Sequence, residues 1–189
     1  MLEDLVKRNR SYRRFYQEVS VPYDVLKGFI ELARLTPSAA NRQPLKYLLV
    51  NDRDKNEKLF KSLNWAAYLT DWDGPEEGEK PSAYIIVLGD TEIAREYYDD
   101  PGIAMQTILL GAVEKGFGGC MLASVKRENI RKDFSIPDRF EILYVVALGK
   151  PKEKVVIEDV TDNNIKYWRD SESVHHVPKR GVDELLSLE

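Results

Sequence analysis

Residues 83–89, AYIIVLG, decide the fold class, because a short apolar run rich in β-branched residues and ending in glycine predicts a strand buried on both faces. Three further runs predict strands of the same sheet: KYLLVN at 46–51, GGCMLAS at 118–124 and ILYVVALG at 142–149. Stretches with helical spacing separate them. This alternation predicts a mixed α/β chain in which helices cover a small sheet.

Five segments have the apolar spacing of helices, and they span residues 2–10, 21–37, 55–63, 101–116 and 125–134. The fourth is apolar nearly all round, which predicts a central buried helix, and the fifth predicts an amphipathic surface helix. The acidic, turn-rich second half of the stretch from Trp65 to Pro81 predicts a surface loop or lid. The length of 189 residues fits a single domain, or one subunit of a compact oligomer.

The alternating pattern stops after Pro151. The segment 151–189 has few core positions, yet it carries Tyr167 and Trp168, which a free tail would not expose. We therefore interpret it as an extended C-terminal arm that packs on another surface, such as that of a second subunit.

The composition limits the function classes. Apolar residues make up 43% of the chain and the net charge is −4, which argues against a general nucleic-acid or membrane binder. Cys120 is the single cysteine, which fits a reducing compartment. The N-terminal residues do not form a signal peptide, and no apolar run approaches the roughly 20 residues of a membrane span, so we expect a cytoplasmic protein.

Most familiar catalytic groups are missing. His175 and His176 are adjacent, which makes them a poor metal pair, and we expect them to be solvated. Cys120 lies in an apolar run and is expected to be buried. GFGG at 116–119 follows a helix, which indicates a helix C-cap rather than a dinucleotide loop. If the chain is an enzyme, a bound cofactor is expected to supply the reactivity.

Two segments are unusually polar. KRNRSYRR at 7–14 places five basic residues among eight. Arginines and a serine at a helix end suit a phosphate, but for this segment taken alone a solvated basic face is the better interpretation. The basic pair at 179–180 could clamp the same phosphate. PSAANRQP at 37–44 offers amide side chains that could read the edge of a planar heterocycle, or that could simply shape a turn.

Together these segments resemble the nitroreductase family of flavin mononucleotide (FMN)-dependent oxidoreductases. NRSYRRF at 9–15 resembles the family's N-terminal Arg-Arg-Ser-x-Arg-x-Phe, with Asn9 in place of the first arginine. PSAANRQPLKYLLV at 37–50 is similar to its Pro-Ser-x-x-Asn-x-Gln-Pro loop and next strand, and QTILLGAVEKGFGGCMLAS at 106–124 resembles its central helix, glycine turn and strand. The resemblance implies an α+β fold with a central mixed sheet flanked by helices, and a homodimer with FMN at the interface.

The resemblance also implies which residues bind FMN. The phosphate and ribityl end would be held by Arg10, Ser11 and Arg13, with Lys179 and Arg180 closing on the phosphate. The other subunit would contribute Pro37, Ser38, Ala39 and Asn41, with Gln43 close by. The strand beside the isoalloxazine would carry Leu122, Ala123 and Ser124, where long family members have a Glu-Gly pair, and would aim a backbone N–H at flavin N5. No side chain would be catalytic, and no metal is implied.

The activity implied by the resemblance is hydride transfer from NAD(P)H to an electron-poor acceptor, a nitroaromatic or quinone-like compound. Donor and acceptor would occupy the same place in turn, a ping-pong mechanism that needs no dinucleotide fingerprint. One alternative is a flavin-binding redox sensor or electron-transfer protein without turnover, and another is a scaffold whose basic arm at 7–14 contacts RNA. Trp65, Tyr68 and Trp72 either roof a substrate pocket or pack beneath the loop, and Trp168 could wrap a partner subunit.

Overall fold

The computed structural model describes residues 1–186. Its helices are α1 (Leu2–Arg8), α2 (Tyr23–Arg34), α3 (Arg53–Phe60), α4 (Asp100–Glu114), α5 (Arg127–Asp133) and α6 (Val182–Leu185). Its strands are β1 (Phe15–Tyr16), β2 (Leu45–Val50), β3 (Ala83–Asp90), β4 (Gly118–Leu122), β5 (Phe140–Pro151), β6 (Val155–Asp159), β7 (Trp168–Arg169) and β8 (His175–Lys179). The predicted strands and helices are therefore present, with ends that shift by a few residues.

A five-stranded sheet forms the centre of the fold. Its order is β1-β5-β3-β2. Strand β4 pairs with residues 145–149 of β5, on the edge opposite β3, and β1 pairs with residues 150–151 of β5. Every residue of β3 is buried, as its sequence predicts. The ladders of this sheet are antiparallel, and parallel pairing occurs at the bridge between Ser11 and Gly119 and between β6 and β8. Strands β3 and β4 both run opposite to β5, which lies between them, so they are parallel to each other but not paired.

Helices cover both faces of the sheet, because successive β3 side chains point to opposite sides. Ile85 and Val87 pack with α2 and α4, whereas Tyr84 and Ile86 pack with α3, α5 and the segment 61–66. Helix α4 is the buried central helix that its apolar sequence predicts. It ends at a left-handed glycine, Gly116, with φ 77°, which confirms the predicted C-cap.

The C-terminal segment is more regular than its sequence indicates. Strands β6, β8 and β7 form a small second sheet that packs back on the same chain, where Tyr167 contacts the core and His175 is only 1% exposed. The expectation that both histidines are solvated is therefore wrong. The His175 ring lies against Tyr167 at 5.2 Å between centroids, and the His176 side chain is 16% exposed and stacks on Trp168 at 4.1 Å. That this arm also packs on a second subunit stays a prediction.

No helix within residues 1–186 is long and apolar enough to cross a membrane.

Candidate functional site

The N-terminal motif segment, residues 9–14, is fixed between α4 and β4. The Asn9 amide donates to Gln106 Oε1 at 3.3 Å, and the Tyr12 N–H donates to the Gly119 carbonyl at 3.1 Å. Gly118 makes this approach possible, because a Cβ there would lie 2.6 Å from Cδ2 of the Tyr12 ring. The segment therefore runs directly past the start of β4, the strand predicted to lie beside the flavin.

Arg10 has an unsatisfied donor that suits an anion. Its Nη2 donates to the Val6 carbonyl at 2.7 Å, but its Nε is buried and has no partner among the described residues. A buried guanidinium N–H without an acceptor is unfavourable, and a phosphate oxygen would satisfy it. The adjacent Ser11 is exposed. This corner therefore fits the phosphate of FMN.

Arg13 faces the C-terminal sheet. Its Nη1 donates to the Ser11 carbonyl at 3.1 Å and lies 3.4 Å from His175 Nε2, and its guanidinium sits 5.1 Å from the centroid of the Tyr167 ring. Burial lowers the pKa of His175 to about 4, so the ring is neutral at pH 7 and can accept this hydrogen bond. Arg13 therefore contacts the C-terminal segment through His175 and Tyr167.

Glu153 organises this region, and the sequence reasoning missed it. Its side chain is fully buried; it accepts the Arg13 backbone N–H at 2.8 Å and the Arg169 guanidinium at 2.5 Å. Arg169 in turn lies 4.1 Å over the Trp72 ring. The one available signal was the position of Glu153 four residues after the fourth predicted strand, near the point where the alternating pattern stops.

The loop 37–43 is held against the first turn of α4. Ser38 Oγ donates to Asp100 Oδ2 at 2.6 Å, and the Ala39 N–H donates to Asp100 Oδ1 at 2.9 Å. The loop contains a 3₁₀ turn at Ala39–Asn41, and Ala40, Asn41 and Gln43 have φ values of 50–52°. Gln43 Nε2 donates to Asn41 Oδ1 at 3.1 Å. Turn chemistry therefore explains much of this polar sequence, and the side of the loop lined by Pro37, Ser38 and Gln43 borders a cavity of about 290 Å³.

The end of β4 is less regular than predicted, because the strand stops at Leu122. Leu122 is buried in the core, whereas Ala123 and Ser124 are exposed beyond the strand. Ser124 Oγ accepts the Asn64 amide at 3.0 Å, and the Ser124 carbonyl accepts the Asn64 N–H at 3.1 Å. These bonds tie the predicted flavin-side stretch to the segment that leads into the acidic loop.

The basic pair near the C-terminus, Lys179 and Arg180, contacts different residues from the arginines of the N-terminal motif. Lys179 ends β8 and is exposed. Arg180 donates to Asn163 Oδ1 at 3.0 Å and to Glu184 Oε2 at 2.7 Å. The predicted clamp on a phosphate by both basic segments stays a prediction.

The aromatic residues near the acidic loop divide into two groups. Trp65 is buried in the core, which confirms the packing interpretation for that residue. Tyr68 and Trp72, with Trp168 and Arg169, line an open cleft of about 510 Å³. Tyr167 connects this cleft to Arg13, because its ring lies 5.0 Å from that of Tyr68.

Two candidate centres carry no chemistry. Burial raises the pKa of Cys120 to about 12, so its thiol stays protonated and is not a nucleophile. Within residues 1–186 no group of three His, Cys, Asp or Glu side chains is placed to hold a metal.

Known proteins with similar sequences and structures agree on one family. A family model described as the nitroreductase family matches residues 6–150. A protein of Archaeoglobus fulgidus, provisionally named NADH dehydrogenase/NAD(P)H nitroreductase, is 28% identical over 149 residues, which cover 75% of this chain and 80% of that protein.

Two solved structures show the same fold. A nitroreductase family protein from Streptococcus pneumoniae superposes with a TM-score of 0.71 at 16% identity, with both chains covered completely. An FMN-dependent nitroreductase from Clostridium difficile superposes with a TM-score of 0.64 at 21% identity, covering 84% of this chain and 91% of that one. Because the family match spans more than half of the sequence, the chain belongs to the nitroreductase family of oxidoreductases.

Proposed function

We propose that this protein is an FMN-dependent oxidoreductase that transfers a hydride from NAD(P)H to an electron-poor acceptor, a nitroaromatic or quinone-like compound. The observation that carries the proposal is the buried, unpartnered Nε of Arg10 inside the segment that resembles the family's first motif. A flavin phosphate would satisfy this donor, and the neighbouring Ser11 hydroxyl and Arg13 guanidinium would add charge-assisted hydrogen bonds.

The remaining predicted residues complete the cofactor site. Bound FMN would supply the redox chemistry for hydride transfer between NAD(P)H and the acceptor, which we propose to be ping-pong. The chain's residues bind and orient it: the stretch 122–124 would offer a backbone N–H to the flavin ring. Lys179 and Arg180 would close on the phosphate, which requires Arg180 to exchange Glu184 for the ligand.

We further propose that two copies form a homodimer with the cofactor between them. Support comes from the separation of the predicted half-sites: the N-terminal motif contacts α4 at Gln106, whereas the loop 37–43 contacts it at Asp100, about 9 Å away along the helix axis. Large apolar side chains are also exposed beside the loop, on Leu35 and Ile103. A second subunit would cover them and would bring its own loop to the first subunit's arginines.

The acceptor is proposed to stack in the cleft lined by Tyr68, Trp72 and Trp168. Aromatic walls favour flat, electron-poor rings, and Tyr167 links this cleft to Arg13. The cytoplasm is the proposed compartment, which fits a chain whose single cysteine is a buried free thiol.

A flavin-binding redox sensor or electron-transfer protein is the second candidate. Such a protein would bind FMN but would react slowly with NAD(P)H.

The absorption spectrum of the purified protein, before and after anaerobic addition of NADH or NADPH, tests these proposals. A yellow protein that bleaches within seconds supports the oxidoreductase, and one that stays yellow with both donors supports the sensor. Replacing Arg10 and Arg13 by alanine should remove the flavin, whereas the control Arg8→Ala, which breaks an exposed ion pair with Asp4, should retain it. Wild-type flavin content in the double variant would refute the assignment of the phosphate site.

A further inference from the structure

Asp100 is an unusual residue at the start of α4. It is 4% exposed, and both of its carboxylate oxygens accept hydrogen bonds from the loop 37–43. No basic side chain forms an ion pair with it among the described residues. Its charge is stabilised instead by the N-terminal end of a 15-residue helix and by the Ser38 hydroxyl and Ala39 N–H.

The loop has a conformation that needs such support. Three of its residues, Ala40, Asn41 and Gln43, have left-handed φ values although none of them is glycine. This conformation is unfavourable for residues with a Cβ and persists only where the surroundings hold it. The hydrogen bonds to Asp100 are made just before the first left-handed residue, so they fix the entry to the strained part of the loop.

The Ser38 hydroxyl is occupied on both sides. Its single proton is donated to Asp100, and its oxygen accepts the Gln43 N–H at 2.9 Å. It therefore joins the start and the end of the loop directly, and Asp100 anchors the start. A hydroxyl used in this way has no proton left to donate to a ligand.

We propose that Asp100 is the positioning residue of the loop 37–43, and that Ser38 braces this loop and does not donate its hydroxyl to the flavin. The side chain of Asn41 and the backbone of the loop are then the groups presented to the cofactor. This inference rests on the proposed function, because it assigns to the loop the task of binding FMN. It changes the role of Ser38 from ligand to support.

Titration of the apoprotein with FMN tests the proposal, and quenching of flavin fluorescence measures the binding. Asp100→Leu removes both acceptors at similar size and should raise the dissociation constant at least tenfold. Asp100→Asn keeps one acceptor oxygen and should lie between Asp100→Leu and the wild type. Ser38→Ala should weaken binding, whereas Ser38→Thr keeps the hydroxyl and should bind as the wild type does.

The neighbouring Asp99 provides a matched control, since it is exposed and its side chain makes no capping hydrogen bond. Asp99→Leu should leave the dissociation constant unchanged. Trypsin gives a readout that needs no flavin: cleavage after Arg42, identified by mass spectrometry, should be faster in Asp100→Asn and Ser38→Ala than in the wild type. A merely global loss of stability would instead speed cleavage at many sites together.

The outcomes separate this inference from the proposed function. If the wild type binds FMN and Asp100→Asn and Ser38→Ala bind it equally well, the positioning role is wrong and the function stands. An unchanged rate of cleavage after Arg42 in both variants would also refute the proposal that Asp100 and Ser38 hold the loop in place. A wild-type protein that cannot bind FMN overturns the function and, with it, this role of Asp100.

Discussion

Replacing Glu153 by glutamine should strongly destabilise the fold. The side chain of Glu153 is fully buried, and that of its partner Arg169 is 14% exposed. Glutamine keeps an oxygen for the Arg13 N–H but leaves the Arg169 guanidinium buried without a counterion. Removing one member of a buried ion pair typically costs about 3–5 kcal/mol, because the remaining charge stays desolvated.

The expected shift in melting temperature follows from this cost. For a chain of 150–250 residues, each kcal/mol lowers the midpoint by roughly 2–4 °C, so a loss of about 3 kcal/mol corresponds to roughly 6–12 °C. Circular dichroism of the apoprotein at pH 7 measures it. The control Glu3→Gln, which breaks an exposed pair with Lys7, should leave the midpoint unchanged.

A double variant isolates the cause. Glu153→Gln combined with Arg169→Met also removes the unpaired charge of the Arg169 guanidinium, while methionine can still pack on Trp72. It should recover at least half of the stability that Glu153→Gln loses. A midpoint for Glu153→Gln within about 2 °C of the wild type, or a double variant that is less stable than the single one, would refute the reasoning.

Two further predictions concern stability. Burial lowers the pKa of His175 to about 4, so the unfolded state binds more protons than the folded state between about pH 4 and 6.5. The free energy of unfolding should therefore fall as the pH drops through this window. His175→Gln should flatten this pH dependence in urea titrations, and an equally steep curve for the variant would contradict the prediction. Gly119→Ala should lower the free energy of unfolding in urea by at least about 2 kcal/mol, since its Cβ would lie 2.1 Å from the Ala147 carbonyl oxygen. The control Gly28→Ala lies in a helix with open space around it and should stabilise the fold by about 0.5–1 kcal/mol. Equal effects of the two substitutions would show that the close contact at residue 119 is relieved at no cost.

The central sheet and its helices could be predicted because their signals are local. The apolar run of β3 and the nearly continuous apolar surface of α4 each indicate burial without reference to the rest of the chain. The pairing of β4 with β5 could not be read in this way. It depends on β5 entering between β3 and β4, although β4 directly precedes it in the strand order of the sequence.

The C-terminal sheet could not be predicted, because its stability comes from distant partners. Strands β6 and β8 are short and partly polar, and His175 is buried only because Arg13 and Tyr167 surround it. The candidate site shows the same limit. The motif residues were found from their resemblance to the family, whereas the support of Ser38 by Asp100 joins positions 62 apart in the sequence.

The central position of β5 has a consequence for how the chain folds. During synthesis β1, β3 and α4 emerge first, but β1 pairs only with the last residues of β5, at Lys150 and Pro151. Before β5 leaves the ribosome, β2 and β3 can pair, but the other edge of β3 has no strand to pair with. Such late, long-range pairing is slow and exposes aggregation-prone edges. The nascent chain is therefore most vulnerable to misassociation just before its last central strand appears, and fragments that end before residue 140 should need a chaperone to stay soluble.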